Sequence, residues 1–240
     1  MACGVPFTAG AVVVINSSAS TTVFSDNFES GSFSPSVGSW SIGPNVSVVS
    51  SGSLPIPGAF EGSRYAEVFR NSDLNNQGNL VAQFSGVQSN PGEVIELSMM
   101  IYLPSATDVN VRGQFMITSG DFTTARAWAR PDGAGHVVAV GPGISLTDTG
   151  LSYHTDVWER WDLRYSIGSS TFDVRVNGVL ATGFSSLSTG AVDRAILFNG
   201  NNTPAGSLYL DAAAVPEPAD YAVLSGLALL GFAVWSRRQR

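Results

Sequence analysis

A period-two alternation along residues 93–103 is the feature that most constrains the fold. Every second position of this stretch is apolar: Ile95, Leu97, Met99, Ile101 and Leu103. Successive side chains of a β-strand point to opposite faces of the sheet. The stretch is therefore predicted to be a strand with one fully apolar face, which a second layer must cover.

The same pattern continues along the chain in short segments separated by turns. Segments 171–176 and 179–184 flank Asn177-Gly178, a dipeptide suited to a two-residue turn with positive φ at both positions, and they predict a hairpin. Further strands are predicted at 64–69, 80–84, 111–118, 125–130, 137–140, 195–198 and 208–211. Many short strands without a helical repeat predict an all-β, antiparallel two-sheet sandwich.

The charge distribution makes nucleic acid an unexpected partner. Residues 215–240 carry a net charge of +1, which leaves −8 on residues 1–214. Binding to a phosphate backbone needs cationic neutralisation, which an acidic body does not provide. Cys3 is the single cysteine, so the chain can form no internal disulfide and no cysteine-based metal cluster.

The C-terminal segment has the pattern of a membrane anchor. An uncharged apolar run begins at Tyr221, ends at Trp235 and is followed by three arginines: Arg237, Arg238 and Arg240. As a helix this run is about 22 Å long, against roughly 30 Å for the hydrocarbon core of a bilayer. Interfacial aromatic residues and cytoplasmic arginines favour a transmembrane helix and basic terminus over 221–240. The alternative is a helix docked on the sandwich.

Val215-Pro216-Glu217-Pro218, the apolar run and the closing arginines occur in the order of the PEP-CTERM sorting signal, which they resemble. The resemblance implies an exported protein whose Pro216, Glu217 and Pro218 are recognised by an exosortase-type enzyme. It also implies a transient anchor in the inner membrane, oriented by the arginines, before the protein reaches the cell surface or the medium. The two prolines keep the linker 213–220 extended and open to an enzyme.

Residues 1–21 are interpreted as an atypical or truncated export leader. Residues 9–15 form a short apolar run and residues 18–20 are small, but no Arg or Lys precedes them. The alternative is that residues 12–15 form the first strand of the sandwich.

The central segment has a second family resemblance. Trp158-Glu-Arg-Trp-Asp-Leu-Arg-Tyr165, followed by a strand that ends in Asn177-Gly178, is similar to the hairpin region of concanavalin A-like and laminin G-like jelly rolls. Segments 26–30 and 208–211 look like the paired first and last strands of that fold. The resemblance implies a concanavalin A-like sandwich over residues 22–212, and we expect extracellular polysaccharide to be its partner.

The acidic residues do not have the spacing of a glycosidase site. Such a site needs two converging carboxylates, often at alternate positions of one strand. Glu93 and Glu96 are three residues apart, as are Glu159 and Asp162, so each pair faces opposite sides of a strand. We therefore expect a non-catalytic protein; a glycoside hydrolase or lyase on the same fold and a purely structural matrix protein are the alternatives.

Oxygen-rich side chains near the two ends of the body suggest a calcium site. Asp26, Asn27 and Glu29 lie near the predicted first strand and Asp211 lies in the last. Ca²⁺ takes about six to eight oxygen ligands, mostly carboxylates, carbonyls and amides. These four residues are the candidate Ca²⁺ ligands; the alternative is that they form turns and strand edges.

One predicted strand carries a candidate glycan-binding face. Arg126, Trp128 and Arg130 share its polar side, and Arg112 and Gln114 lie on the predicted neighbouring strand. Indole rings stack on the C–H faces of sugars, and a guanidinium binds a carboxylate through two hydrogen bonds. The alternative is a solvated outer face, with the arginines paired to local acids and packed along the indole.

Overall fold

The computed structural model describes residues 12–53, 56, 58–70, 78–105, 113–200 and 206–211. In these ranges the chain forms sixteen strands and two short 3₁₀ turns, at Phe122–Thr124 and Pro142–Ile144. The strands are β1 Val12–Asn16, β2 Thr21–Asp26, β3 Ser39–Ile42, β4 Val46–Ser50, β5 Arg64–Arg70, β6 Gly78–Gln88, β7 Val94–Tyr102, β8 Gln114–Thr118, β9 Ala125–Pro131, β10 His136–Gly141, β11 Ser145–Ser152, β12 Trp158–Ser166, β13 Thr171–Val176, β14 Val179–Ser185, β15 Val192–Asn199 and β16 Gly206–Asp211.

The strands form two antiparallel sheets, as predicted. The nine-stranded sheet has the order β14-β13-β12-β7-β16-β5-β4, with β1 and β2 added beside β7. The seven-stranded sheet has the order β11-β10-β9-β8-β15-β6-β3. The described residues are therefore all-β, in an arrangement consistent with a jelly-roll sandwich.

A single large apolar cluster fills the space between the sheets. The five apolar positions at odd numbers from Ile95 to Leu103 are all buried there, which confirms the predicted face of β7. Trp161 of β12 meets Phe115 of β8 edge to face, with ring centroids 5.5 Å apart, and so joins the two layers. Each large apolar side chain buried in this way contributes about 1.5–3 kcal/mol.

The predicted hairpin is confirmed. β13 pairs with β14 from Val176–Val179 onward, and the turn residues Asn177 and Gly178 have φ values of 48° and 85°. Both values lie in the left-handed region that a two-residue turn of this type requires.

The sandwich begins earlier than the predicted boundary at residue 22. Val12–Asn16 is a strand held between β2 and β7, and Val12 and Val14 are fully buried in the core. The structure thus contains the alternative considered for residues 12–15, a first strand of the sandwich, and these valines complete its apolar layer. Residues 1–11 lie outside the described residues.

The last strand does not pair with segment 26–30. β16 pairs instead with β5 and β7. Along β7, Asp211 of β16 lies opposite Met100, and Val12 of β1 lies opposite the adjacent Met99. β7 is nine residues long, so two short strands fit end to end along one of its edges. Residues 27–30 form a turn after β2, with Phe28 at a φ of 56°.

The linker and tail, residues 213–240, lie outside the described residues. They include the sorting motif Pro216, Glu217 and Pro218 and the basic residues Arg237, Arg238 and Arg240. In the ranges that are described, no helix has the length and hydropathy that a membrane crossing requires.

Candidate functional site

The seven-stranded sheet carries a second apolar cluster on its outer face, the side that points away from the nine-stranded sheet. The register places Met116 of β8 beside Trp128 of β9 and Ile196 of β15 beside Met116. Val140 and Phe198 complete this cluster, while the alternate residues of the same strands belong to the core. The outer face is therefore partly apolar rather than uniformly solvated.

A short turn folds over this face and positions an aromatic ring there. Asp121 caps the turn Phe122–Thr124 by accepting hydrogen bonds from the backbone N–H and the hydroxyl of Thr123, at 2.9 and 2.6 Å. The hydroxyl and backbone N–H of Thr123 hold the pKa of Asp121 below its usual value. The Phe122 ring lies 6.1 Å from Trp128 and 5.2 Å from Phe198, measured between ring centroids.

A cleft of about 240 Å³ opens between this turn and the turn Pro142–Ile144. Its walls include the rings of Phe122 and Trp128 and the aliphatic side chains of Ile144 and Leu187. Because Phe122 is 36% exposed, the cleft is open to solvent on one side. The arrangement provides a concave, largely apolar surface with two aromatic walls.

Ile144 holds a strained backbone conformation at the rim of this cleft. Its φ is 60°, and that of the preceding Gly143 is 69°. β-Branched residues avoid the left-handed region, which costs an L-residue about 1–2 kcal/mol. Ile144 is 64% exposed, so little burial offsets that cost.

The structure brings together three of the five predicted face residues. Trp128 and Arg130 alternate with core residues along β9, and the pairing of Phe115 with Ala129 sets Gln114 beside Arg130. Trp128 and Gln114 are buried, whereas Arg130 stays partly exposed. Arg112 lies outside the described residues.

Arg126 supports the turn rather than lining the cleft. A β-bulge at the start of β9 shifts the register there, since Ile117 pairs with Ala127 but Thr118 pairs with Ala125. Such bulges bend a strand and re-aim side chains.

The guanidinium of Arg126 donates to the carbonyl oxygen of Thr124 at 2.6 Å and to the Ser119 hydroxyl at 2.9 Å. Arg126 is 7% exposed, and it ties down the loop that carries Phe122. Its role in the structure is therefore to position that ring.

Several N–H groups along β9 have no hydrogen-bond partner. They are the Nε of Arg126, the Nε1 of Trp128 and the Nε of Arg130. Burial lowers the pKa of both guanidinium groups, although arginine remains a cation. A buried donor without an acceptor costs about 1–3 kcal/mol, so three along one strand call for an explanation.

The predicted calcium ligands do not form a metal site. Asp26 is buried, and its two oxygens accept hydrogen bonds from the Phe28 backbone N–H and the Trp40 indole N–H. Burial raises the pKa of Asp26 in spite of these bonds. The side-chain amide oxygen of Asn27 caps the following turn by accepting a hydrogen bond from the backbone N–H of Glu29.

The other two predicted ligands, Glu29 and Asp211, hold the loop before β5. The donors to them are the backbone N–H groups of Phe60, Glu61, Ser63 and Arg64 and the hydroxyl of Ser63. Among the residues that the structure describes, no group of three or more His, Cys, Asp or Glu side chains is arranged to bind a metal. The oxygens satisfy backbone donors instead, so these residues do not fit Ca²⁺.

The acidic residues of β12 are held in separate networks. Glu159 accepts hydrogen bonds from His154 Nδ1 at 2.8 Å and from the Asn177 amide at 3.1 Å. Asp162 pairs instead with Arg160 Nε at 2.9 Å. The two carboxylates thus engage different partners.

Phe122, Ile144 and Leu187 are among the cleft residues that were not predicted from the sequence. All three lie in connections between strands, which the alternation does not describe. The available signal was Pro142-Gly143, a turn dipeptide that places Ile144 just before β11.

No protein-family model matches the sequence, and no curated protein matches it. Among solved structures, the chain is similar to domain 4 of AbnA, an extracellular arabinanase from Geobacillus stearothermophilus, in complex with arabinotriose. The identity is 15% and the TM-score 0.45, over 79% of this chain and 91% of that domain. A sialidase matches at 12% identity and a TM-score of 0.47, over 72% of this chain but 17% of the sialidase. The lectin UEA-II, complexed with galactose, matches at 10% identity and a TM-score of 0.46, over 76% of this chain and 96% of the lectin. Similarity at this level assigns no family to the chain.

Proposed function

We propose that the protein is an exported, non-catalytic glycan-binding protein and that the cleft beside Trp128 is its binding site. The observation that carries the proposal is the pair of aromatic walls, Phe122 and Trp128, around an open cleft of about 240 Å³. Ligand pockets are concave and mostly apolar, with volumes of roughly 300–1,000 Å³, so this one suits a small sugar unit. Aromatic rings stack favourably on the C–H faces of such units.

Polar groups at the edge of the apolar surface support the same function. The partly exposed Arg130 lies next to Trp128 on the outer face, with Gln114 beside it on β8. Sugar hydroxyls are acceptors as well as donors, so they can accept hydrogen bonds from the exposed part of this guanidinium.

The composition of the central strands supports binding rather than hydrolysis. β8, β9 and β10 contain no Asp or Glu, so they provide none of the two carboxylates that a glycosidase needs. The face that carries Trp128 is therefore suited to hold a sugar without cleaving it.

The test is affinity gel electrophoresis against arabinan, dextran, alginate and polygalacturonate. Wild-type protein should be retarded by at least one of these, and Phe122→Ala should lose that retardation because one aromatic wall is gone. Val87→Ala is the matched control, since Val87 is 63% exposed and does not line the cleft. Failure of the wild type to bind any of the four, or unchanged retardation of Phe122→Ala, would overturn the proposal.

We also propose that the protein is sorted through its C-terminal segment by an exosortase-type enzyme at the inner membrane and then reaches the cell surface or medium. The order of Pro216-Glu217-Pro218, apolar run and arginines supports this route. Mass spectrometry of membrane and medium fractions from the native host should find a mature species that ends near residues 215–218. Glu217→Ala should accumulate as the uncleaved membrane form, and an intact cytosolic chain would contradict the route.

A further inference from the structure

We propose that the glycan bound beside Trp128 is acidic and that Arg130 holds one of its uronate carboxylates, an assignment that rests on the proposed glycan-binding function. It extends that function from sugars in general to one chemical class. The groups that carry it are a partly exposed cation without a counter-ion, the neighbouring indole and an adjacent amide.

Arg130 lacks the carboxylate partner that Arg160, Arg175 and Arg194 have. Arg160 Nε lies 2.9 Å from Asp162, and Arg194 Nε lies 2.7 Å from Asp193. In the described part of the chain Arg130 makes no hydrogen bond or ion pair, and its Nε is buried without an acceptor. The buried Nε is closed to a ligand, but the two Nη groups of this partly exposed guanidinium can provide the donors of a two-bond carboxylate contact.

No acidic residue in the described ranges forms an ion pair with Arg130. The net charge is −7, yet β8, β9 and β10 hold no Asp or Glu. Asp132 acts on Arg130 electrostatically and raises its pKa, but less than burial lowers it. A ligand that brings its own carboxylate would therefore find a cation whose charge is only partly compensated, inside a protein that otherwise repels anions.

The spacing on the outer face fits one sugar unit beside its carboxylate. Trp128 and Arg130 are two residues apart on one strand, about 6.7 Å along its axis. Gln114 lies beside Arg130 on β8, where its amide can reach a ring hydroxyl. A uronate stacked near Trp128 would thus place its carboxylate at the guanidinium.

The experiment compares each acidic polysaccharide with its own neutral form. Alginate and polygalacturonate are tested against the same polymers after their carboxyl groups have been reduced to alcohols. Wild-type protein should bind at least one acidic polymer about tenfold more tightly than its reduced form, as expected for a charged hydrogen bond. Arg130→Gln should lose that preference, while Arg194→Gln, which removes an arginine already paired with Asp193, should keep it.

The outcomes separate this assignment from the glycan function itself. Equal binding of acidic and reduced polymers, both weakened in Phe122→Ala, would retain the function and overturn the acidic class. Retention of the preference in Arg130→Gln would overturn the role of Arg130. Dextran sulfate carries charge without carboxylates; binding it as tightly as the uronates would show general charge attraction and also overturn the assignment.

Discussion

The strained residue at the cleft rim gives a sharp prediction about stability. Asn tolerates the left-handed region, so Ile144→Asn should remove most of a cost of about 1–2 kcal/mol. The side chain is 64% exposed, so only about a third of its burial is lost, or about 0.5–1 kcal/mol of the 1.5–3 kcal/mol for full burial. The free energy of unfolding should therefore stay constant or rise by about 0.5 kcal/mol.

Leu146→Asn is the matched control for this reasoning. Leu146 follows closely in β11 and is 49% exposed, but it is not among the residues with positive φ. Its loss should lower the free energy of unfolding by about 1 kcal/mol, because no strain is relieved. Urea unfolding followed by tryptophan fluorescence measures both variants, provided that the m-value is unchanged. If Ile144→Asn is destabilised as much as Leu146→Asn, the strain argument is refuted.

Three further predictions concern Glu29, the hairpin turn and Arg126. Burial raises the pKa of Glu29, but hydrogen bonds from the neighbouring loop outweigh burial and lower the pKa below its usual 4.5. The stability that ionised Glu29 contributes is therefore present above pH 4.5 and is lost as the pH falls through the lowered pKa. Glu29→Gln should flatten this part of the curve of unfolding free energy against pH. Gly178→Ala should lower the urea midpoint by the equivalent of about 1 kcal/mol, because the φ of Gly178 is 85°. Gly86→Ala is the control and should not lower it, because Gly86 lies in a strand with an ordinary φ and free space around its Cα. Arg126→Met should speed amide exchange in the loop that carries Phe122, because it removes two hydrogen bonds to that loop, and unchanged exchange would contradict the positioning role.

Strands were predicted where the sequence carries a local signal. β7 and the β13–β14 hairpin show a clear alternation or a turn dipeptide, and both were predicted. β11 was not, because it is an edge strand exposed along most of its length and therefore has no apolar face to alternate. β1 was left as an alternative because Val12, Val13 and Val14 are consecutive and all buried, so they show no period of two.

The candidate site likewise contains residues that a local pattern could predict and residues that depend on long-range packing. Trp128 and Arg130 could be placed on one face because alternation within a strand is local. Phe122 and Ile144 reach the cleft through turns whose direction depends on packing against distant strands, which no local pattern encodes. The calcium prediction failed for a related reason: carboxylates such as Asp26 that could bind a cation also serve as acceptors for backbone N–H groups, and the sequence does not distinguish the two uses.

Two unfavourable features lie on the outer face around Trp128, and the fold itself requires neither. An exposed isoleucine in the left-handed region could be replaced by glycine or asparagine without strain, and an arginine without an acceptor could be replaced by an apolar residue. Two arginines of the nine-stranded sheet have carboxylate partners, since Arg160 is paired with Asp162 and Arg175 with Glu96. Strain and unpaired polar groups that persist together in natural proteins concentrate at functional sites. Their coincidence around Trp128 favours a site kept for a ligand over a bland outer face, because a purely structural sandwich would gain stability by losing both.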